Sequence, residues 1–326
     1  MVEPDREARR RGVVSGRLLT LTASRMPAPH RIATIDVGTN TAQFLVADVH
    51  DGRLDSVCEE TRYVRLGQGV DANRRLAPEA VERVLAALAD YKQAADELGA
   101  ETVVIGATSA SRDAQNLDAL KARVRDLGME YRVISGEEEA LWTFRAACSA
   151  YPDLDEVCVL DIGGGSTEVV TGRADEGEPE QVSVDVGSVR LTERCFPTLP
   201  PSDYAVSLAD EVVAEVFDGL SVDGSLPLLG SSGTVRVLGG LVHPDAPNDP
   251  IDAATVHAWR EKLCGLSADE ILVLDPDLLA GRADVYAAGV LVLDAFMQRF
   301  GFDAIRPSPR GLRHGLALRW MQRAAV

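Results

Sequence analysis

Two short phrases in the chain have the residue types for phosphate chemistry. Ile35-Asp36-Val37-Gly38-Thr39-Asn40-Thr41 stands near the start, and Asp161-Ile162-Gly163-Gly164-Gly165-Ser166-Thr167 repeats the pattern mid-chain. Each follows an apolar run and leads into another, so each reads as strand, tight turn, strand, with an aspartate ending the first strand. Glycines in the turn let successive backbone N–H groups face one space, an anion-binding nest. The hydroxyls of Thr39, Thr41, Ser166 and Thr167 can add hydrogen bonds to phosphate oxygens, and the two aspartates are hard ligands for a cation such as Mg²⁺. A single Asp-x-Gly turn is an ordinary β-turn. Two copies at domain spacing predict two similar half-domains facing each other across a phosphate-sized cleft. Neither copy is a P-loop, because no Gly-Lys-Ser/Thr follows. Neither is a dinucleotide fingerprint, because the chain continues into a strand and not a helix.

Three further clusters carry chemical groups. Ile134-Ser135-Gly136-Glu137-Glu138-Glu139-Ala140 places three glutamates at a helix start, where the dipole favours them. Helical geometry spreads the three over about 200° of arc, so at most one or two can face a cleft. Ala107-Thr108-Ser109-Ala110-Ser111-Arg112-Asp113-Ala114 follows a short buried strand, the place where open α/β sheets bind ligands. Arg112 there can clamp phosphate bidentately, or form a surface ion pair with Asp113 or Asp118. Leu229-Gly230-Ser231-Ser232-Gly233-Thr234-Val235-Arg236 reads as strand, turn and helix, with a helix N-terminus that can face an anion or serve as a tight connection. Arg306, Arg310, Arg313 and His314 form a basic C-terminal cluster, either a solvated helix face or the border of an anion channel.

The elements that must position these groups follow from periodicity. The spacing predicts strands over 32–37, 42–49 and 54–64, the second turn carrying Asp51-Gly52. An amphipathic helix covers 78–98 with Pro78 in its first turn, and Gly99 ends it. A strand over 102–105, a helix over 116–127, a strand over 131–134 and a helix over 136–150 complete the first half. The second half restarts with strands over 157–160, 167–171 and 182–186, with an acidic hairpin tip at 174–180. Helices follow over 191–196, 202–218, 233–241, 254–264, 284–300 and 311–323. The chain of 326 residues is 46% hydrophobic and carries a net charge of −18. That size supports two domains with a large core. The charge excludes general affinity for nucleic acid or an anionic membrane, and no run approaches the roughly 18 apolar residues of a membrane helix. A polyanionic substrate would need a locally basic cleft or a metal. Cys58, Cys148, Cys158, Cys195 and Cys264 lack metal spacing and fit a reducing cytoplasm. Residues 1–30 read as a disordered tail or as a start codon assigned too early, with Met26 as the alternative.

At Asp36–Thr41, Arg65–Gly69, Ala107–Asn116, Val133–Ala140, Asp161–Val169, Gly187–Glu193, Gly230–Arg236, Gly281–Gly289 and Gly311–Gly315 the chain resembles the exopolyphosphatase/guanosine pentaphosphate phosphohydrolase (Ppx/GppA) family. The resemblance implies an actin-like α/β fold of two duplicated, ribonuclease H-like domains with a cleft between them. These domains would cover 31–135 and 136–309, with the last helix, 310–326, returning to the first. It implies a hydrolase that releases terminal phosphate from inorganic polyphosphate, or the 5′ phosphate of pppGpp, with Mg²⁺ or another divalent cation. By the family motif, Glu139 matches the catalytic glutamate, Asp161 and Glu168 the metal-associated acids, and Asp36 the acid of the first phosphate loop. Gly38, Thr39, Asn40, Thr41, Arg112, Gly163, Gly164, Gly165 and Ser166 would hold phosphate. A homodimer with no membrane or nucleic-acid partner is expected. A short form without the extra C-terminal helical domain of longer members is expected, and Ser308-Pro309-Arg310 stands where many members have Ser-Asp-Arg. The competing readings are a phosphotransferase of the same fold and a non-catalytic regulator that binds guanosine penta- or tetraphosphate.

Overall fold

The computed structural model describes residues 30–50, 53–174 and 177–324. Residues 1–29 of the expected tail, the Asp51-Gly52 turn and the tip of the acidic hairpin lie outside them. The first half runs β1 (His30–Val37), β2 (Thr41–His50), β3 (Arg53–Tyr63), α1 (Val70–Asn73), α2 (Pro78–Glu97), β4 (Thr102–Ala107), α3 (Ser109–Asp113), α4 (Leu117–Asp126) and β5 (Tyr131–Val133). Helix α5 (Gly136–Ala150) leads into β6 (Glu156–Ile162), β7 (Thr167–Arg173), β8 (Glu180–Val184), α6 (Ser188–Cys195), α7 (Asp203–Phe217), β9 (Leu228–Gly230) and α8 (Gly233–Val242). The chain ends with β10 (Ile251–Asp252), α9 (Ala253–Cys264), α10 (Ala268–Leu272), α11 (Pro276–Leu279), α12 (Ala283–Phe300), β11 (Ala304–Pro307) and α13 (Leu312–Ala324). Helices α1, α3, α10 and α11 and strands β10 and β11 were not anticipated. Each is five residues or fewer, too short for a periodic signal.

The duplication is visible in the strand order. The first sheet runs β3-β2-β1-β4-β5 and the second β8-β7-β6-β9-β11, with β10 added at its far edge. In both, the first three strands form an antiparallel meander and the next two join in parallel. In both, a tight turn links the first two strands, so residues seven apart stand opposite each other: Asp36 with Gln43, and Asp161 with Glu168. Such cross-strand neighbours share one face of the sheet.

Each sheet is covered by helices on both faces. Ile35, Phe44 and Ile105 meet Val84, Leu88 and Tyr91 of α2 and Leu120 of α4, and the Phe44 and Tyr91 rings stack at 4.7 Å. In the second half Leu160, Val169 and Ile305 pack with α7 and with α12, which is buried along most of its length. Helix α13 lies against β1 and β2 through Ala317, and it meets α5 through Leu312, Leu316 and Trp142. Helix α5 in turn packs Ala140, Phe144 and Ala147 on β6 and β7. It is therefore held between the second sheet and α13, with its N-terminus at the space between the two turns.

Candidate active site

A cavity of about 100 Å³ opens where the two turns face each other. Its wall includes Asp36, Gly38, Thr39, Asn40 and Thr41 from the first turn and Asp161, Gly163, Gly164, Gly165 and Ser166 from the second. Glu139 reaches it from α5, Ser231 to Thr234 from the start of α8, Arg282 from the start of α12, and Gly311 and Leu312 from the start of α13. Strand ends and helix starts thus converge on one point, as in α/β sheets that bind ligands at their carboxyl edges.

The turn glycines work differently from the nest expected from sequence. Gly38, Gly163, Gly164 and Gly165 are not among the glycines with positive φ. Their missing Cβ is what matters: one on Gly164 would come within 2.8 Å of the Thr39 Cβ, and one on Gly165 within 2.5 Å of the Ser109 Oγ. The two turns can approach this closely only because the second has no side chains. The N–H groups of Gly38 and Gly163 are also not available to a ligand, since they close their own turns onto the carbonyls of Thr41 and Ser166 at 2.8 and 2.9 Å. The next two N–H groups in each turn, those of Thr39, Asn40, Gly164 and Gly165, have no backbone acceptor among the described residues. An anion in the cavity would satisfy a cost that buried N–H groups otherwise carry.

Of the three adjacent glutamates, Glu139 alone lines this cavity. Ser135 caps α5 by accepting from the Glu138 N–H at 3.1 Å. Glu139 then heads the buried stripe continued by Trp142, Thr143, Ala146 and Ala147, the spacing of one helical face. Glu138 turns outward to Arg132 and Arg319. Arg112 donates to Glu139 Oε2 at 2.7 Å and lies 3.3 Å from the Ser166 Oγ. It stands behind the cavity wall, so it meets Glu139 and neither Asp113 nor Asp118.

Three buried carboxylates, Asp36, Glu139 and Glu168, and the half-buried Asp161 crowd this region. Burial pushes Glu139 up to about 7 against the pull of Arg112, and Asp161 up to about 6 against that of Arg236. Asp36 and Glu168 lie well above the ordinary carboxylate range, through burial first and then through the charges of Glu139 and Asp161. Glu168 accepts from the Ser183 hydroxyl at 2.7 Å through Oε1, while its buried Oε2 has no hydrogen-bond partner. It stands beside Asp161 on the neighbouring strand and does not line the cavity. Among the described residues no three His, Cys, Asp or Glu side chains form a ready-made metal cage. The expected trio of Asp36, Asp161 and Glu168 is therefore not assembled as a closed ligand set. The oxygen-only donors, their mutual repulsion and the orphaned Glu168 oxygen nonetheless fit a hard divalent cation. Mg²⁺ in particular takes one or two carboxylates and completes its shell with water and substrate phosphate.

Several cavity residues went unread in the sequence. Gln43 donates to Asp36 at 3.1 Å and accepts from Arg236 at 3.1 Å. The hairpin register would have paired Gln43 with Asp36. Arg282 lines the wall while donating to the Tyr63 hydroxyl at 2.7 Å. Arg236 is half-buried, and desolvation together with the charges of Arg313 and Arg282 brings its guanidinium down to about 10. Arg282 thus lines the cavity, with Arg112 and Arg236 held close to its carboxylates, although the whole chain is acidic.

The basic C-terminal cluster is neither a solvated face nor a channel border. Arg306 lies over the Tyr151 ring, and Arg310 donates to Ser149 and to the Leu54 carbonyl. Arg313 and His314 are buried and reach Glu59 on β3. The hydrogen bond from His314, helped by the Arg313 charge, brings Glu59 down to about 2 against burial. A carboxylate lowered in the folded state stabilises the fold above its unfolded value, near 4.5, and loses that contribution as pH falls toward 2. With the Glu59 side chain 37% exposed, solvent screening leaves on the order of 1 kcal/mol. Urea titrations of the wild type and Glu59→Gln should differ by that amount at pH 6 and converge as pH approaches 2. A gap that stays constant with pH would contradict the ionic origin.

Two sheets of one strand order, with phosphate-type turns facing each other across an acidic cavity, define a protein of the actin-like class. The family model described as the Ppx/GppA phosphatase family matches residues 45–324. Exopolyphosphatase 2 of Mycobacterium tuberculosis is 37% identical over 320 residues, covering 88% of this chain and 98% of the relative. Among solved structures, the Aquifex aeolicus member of the Ppx/GppA family is 28% identical with a TM-score of 0.76, covering 90% of this chain and 98% of that one. An exopolyphosphatase from Cytophaga hutchinsonii is 25% identical with a TM-score of 0.81 and the same coverage. The chain belongs to the Ppx/GppA phosphatase family.

Proposed function

We propose that the protein is a phosphoanhydride hydrolase that removes terminal phosphate from inorganic polyphosphate or the 5′ phosphate of pppGpp. The observation that carries this reading is Glu139. It is a buried carboxylate on the cavity wall, raised to about 7, facing the two turns whose N–H groups lack backbone acceptors. A base poised near the working pH both exists in the right form and accepts a proton effectively. Glu139 orients water for in-line attack and takes its proton, and Arg112 keeps the carboxylate aimed. The N–H groups of Thr39, Asn40, Gly164 and Gly165, with the hydroxyls of Thr41 and Ser166, hold the phosphate oxygens. Each such donor, preorganised in a water-poor site, is worth about 3–4 kcal/mol in a transition state.

Asp161 and Asp36 would hold a divalent cation, Mg²⁺ by the chemistry of the donors, with Glu168 beside Asp161. When bound, it supplies charge neutralisation on the phosphate oxygens. The acid Glu139, which can activate water, favours hydrolysis over transfer to a nucleotide and over binding without turnover.

No helix among the described residues is long and apolar enough to cross a membrane, and all five cysteines are free. These support a cytoplasmic setting. Pairing into a homodimer rests on the family resemblance and is open to size-exclusion measurement. Phosphate release measured side by side from short polyphosphate, long polyphosphate and pppGpp tests the reading. Release from at least one supports it, and release from none, in the presence of Mg²⁺, contradicts it.

A further inference from the structure

The Gly187–Glu193 segment has no part in the mechanism above, yet it grips the second phosphate turn. The Gly163 carbonyl accepts from the Ser188 N–H at 3.0 Å. The Gly164 carbonyl accepts from the N–H groups of Val189 and Arg190 at 2.8 and 3.0 Å. The Gly165 carbonyl accepts from Arg190 Nε at 2.6 Å. All three carbonyls are thus tied to the start of α6, whose first residue, Ser188, also lines the cavity. A peptide plane fixed by its carbonyl also fixes the N–H that the plane carries. Gly187 makes the grip possible, since a Cβ there would come within 2.7 Å of the Gly163 carbonyl oxygen.

Arg190 extends this grip to the other half of the molecule. It is 5% exposed, and its remaining donors all go to first-half groups: Asp71 through Nη1, and Asp113 at 2.6 Å and Ser109 at 3.3 Å through Nη2. Asp113 neighbours Arg112 on α3, the helix whose arginine meets Glu139 and Ser166. One guanidinium therefore joins the second phosphate turn to the element that aims the base. Its planar fork is suited to fixing several acceptors at once, and an ammonium is not.

We propose that Arg190 is a positioning residue for phosphoryl transfer. Its side chain holds the Gly165 carbonyl and with it the Gly165–Ser166 peptide, so it sets the aim of the Ser166 N–H at the cavity wall and ties that aim to the approach of the two halves through Asp71 and Asp113. The proposal rests on the reading that the second turn holds phosphate.

Arg190→Lys tests it, because lysine keeps the charge and loses the fork. A misplacement on the order of 1 Å in such a site costs about 10²-fold in rate. Turnover should therefore fall about 30- to 100-fold, with KM within about threefold of wild type. Orthovanadate, a phosphate mimic, should raise the melting temperature of the wild type and fail to do so for the variant, a readout that needs no hydrolysis. In Arg190→Ala, millimolar guanidinium should restore turnover about tenfold where equal sodium chloride does not. Lysine-variant turnover within threefold of wild type would overturn the proposal. So would a loss that guanidinium does not relieve while the vanadate shift persists. A wild type that releases no phosphate would count against the functional reading, and the vanadate shift would still decide the role of Arg190.

Discussion

Glu139→Gln should lower turnover by about 10²- to 10⁴-fold, the range of a positioned general base, while KM stays within about threefold. Glutamine matches the shape of glutamate and keeps an oxygen for the 2.7 Å hydrogen bond from Arg112, so α5 and the cavity wall should hold their places. What is lost is the proton acceptor. The neighbouring acids cannot replace it: Glu138 pairs outward with Arg132 and Arg319, and Glu168 does not line the cavity. The substitution also removes one of four crowded carboxylates and so relieves repulsion, which makes a folding defect a poor explanation for lost activity. Initial rates with polyphosphate or pppGpp, with thermal melting as a control, decide the matter. Turnover within tenfold of wild type would remove Glu139 from the role of base.

Excess chelator should lower phosphate release by about 10³-fold or more, with recovery when Mg²⁺ is returned. Asp36, Glu139, Asp161 and Glu168 crowd together and each is raised by burial and by at least one like-charged neighbour or carries that charge to another. A polyphosphate terminus brings more negative charge to the same place. The surrounding arginines are largely engaged: Arg112 with Glu139, Arg190 with Asp71 and Asp113, Arg313 with Glu59, Arg236 with Gln43. A divalent cation is the chemistry that offsets the remainder. Asp161→Asn should shift the Mg²⁺ concentration for half-maximal rate upward, whereas Glu82→Gln, in an exposed ion pair with Arg123, should not. Undiminished activity in chelator would contradict this account.

Much of this was readable in the chain because it is local. The repeated turn announces a hairpin, a hairpin fixes which residues stand opposite, and the same strand order then appears in both sheets. Helix α5 was legible from Ser135 to Ala150 because its cap and its buried stripe lie in one continuous segment. The sequence did not show a second need for the turn glycines, close approach between Gly164 and Thr39, because that contact joins distant parts of the chain. Arg313 and His314 gave no local sign that they would turn inward, because their partner Glu59 belongs to β3. Arg190 was hidden for the same reason: the acceptors of its side-chain hydrogen bonds lie at least 25 residues away.

The central claim is that water, activated at Glu139, attacks the terminal phosphorus. Hydrolysis in water enriched in oxygen-18, followed by mass spectrometry of products from a single turnover, tests it most directly. The account predicts one labelled oxygen in each released orthophosphate and none in the shortened substrate. Label in the shortened substrate, or unlabelled orthophosphate, would contradict it.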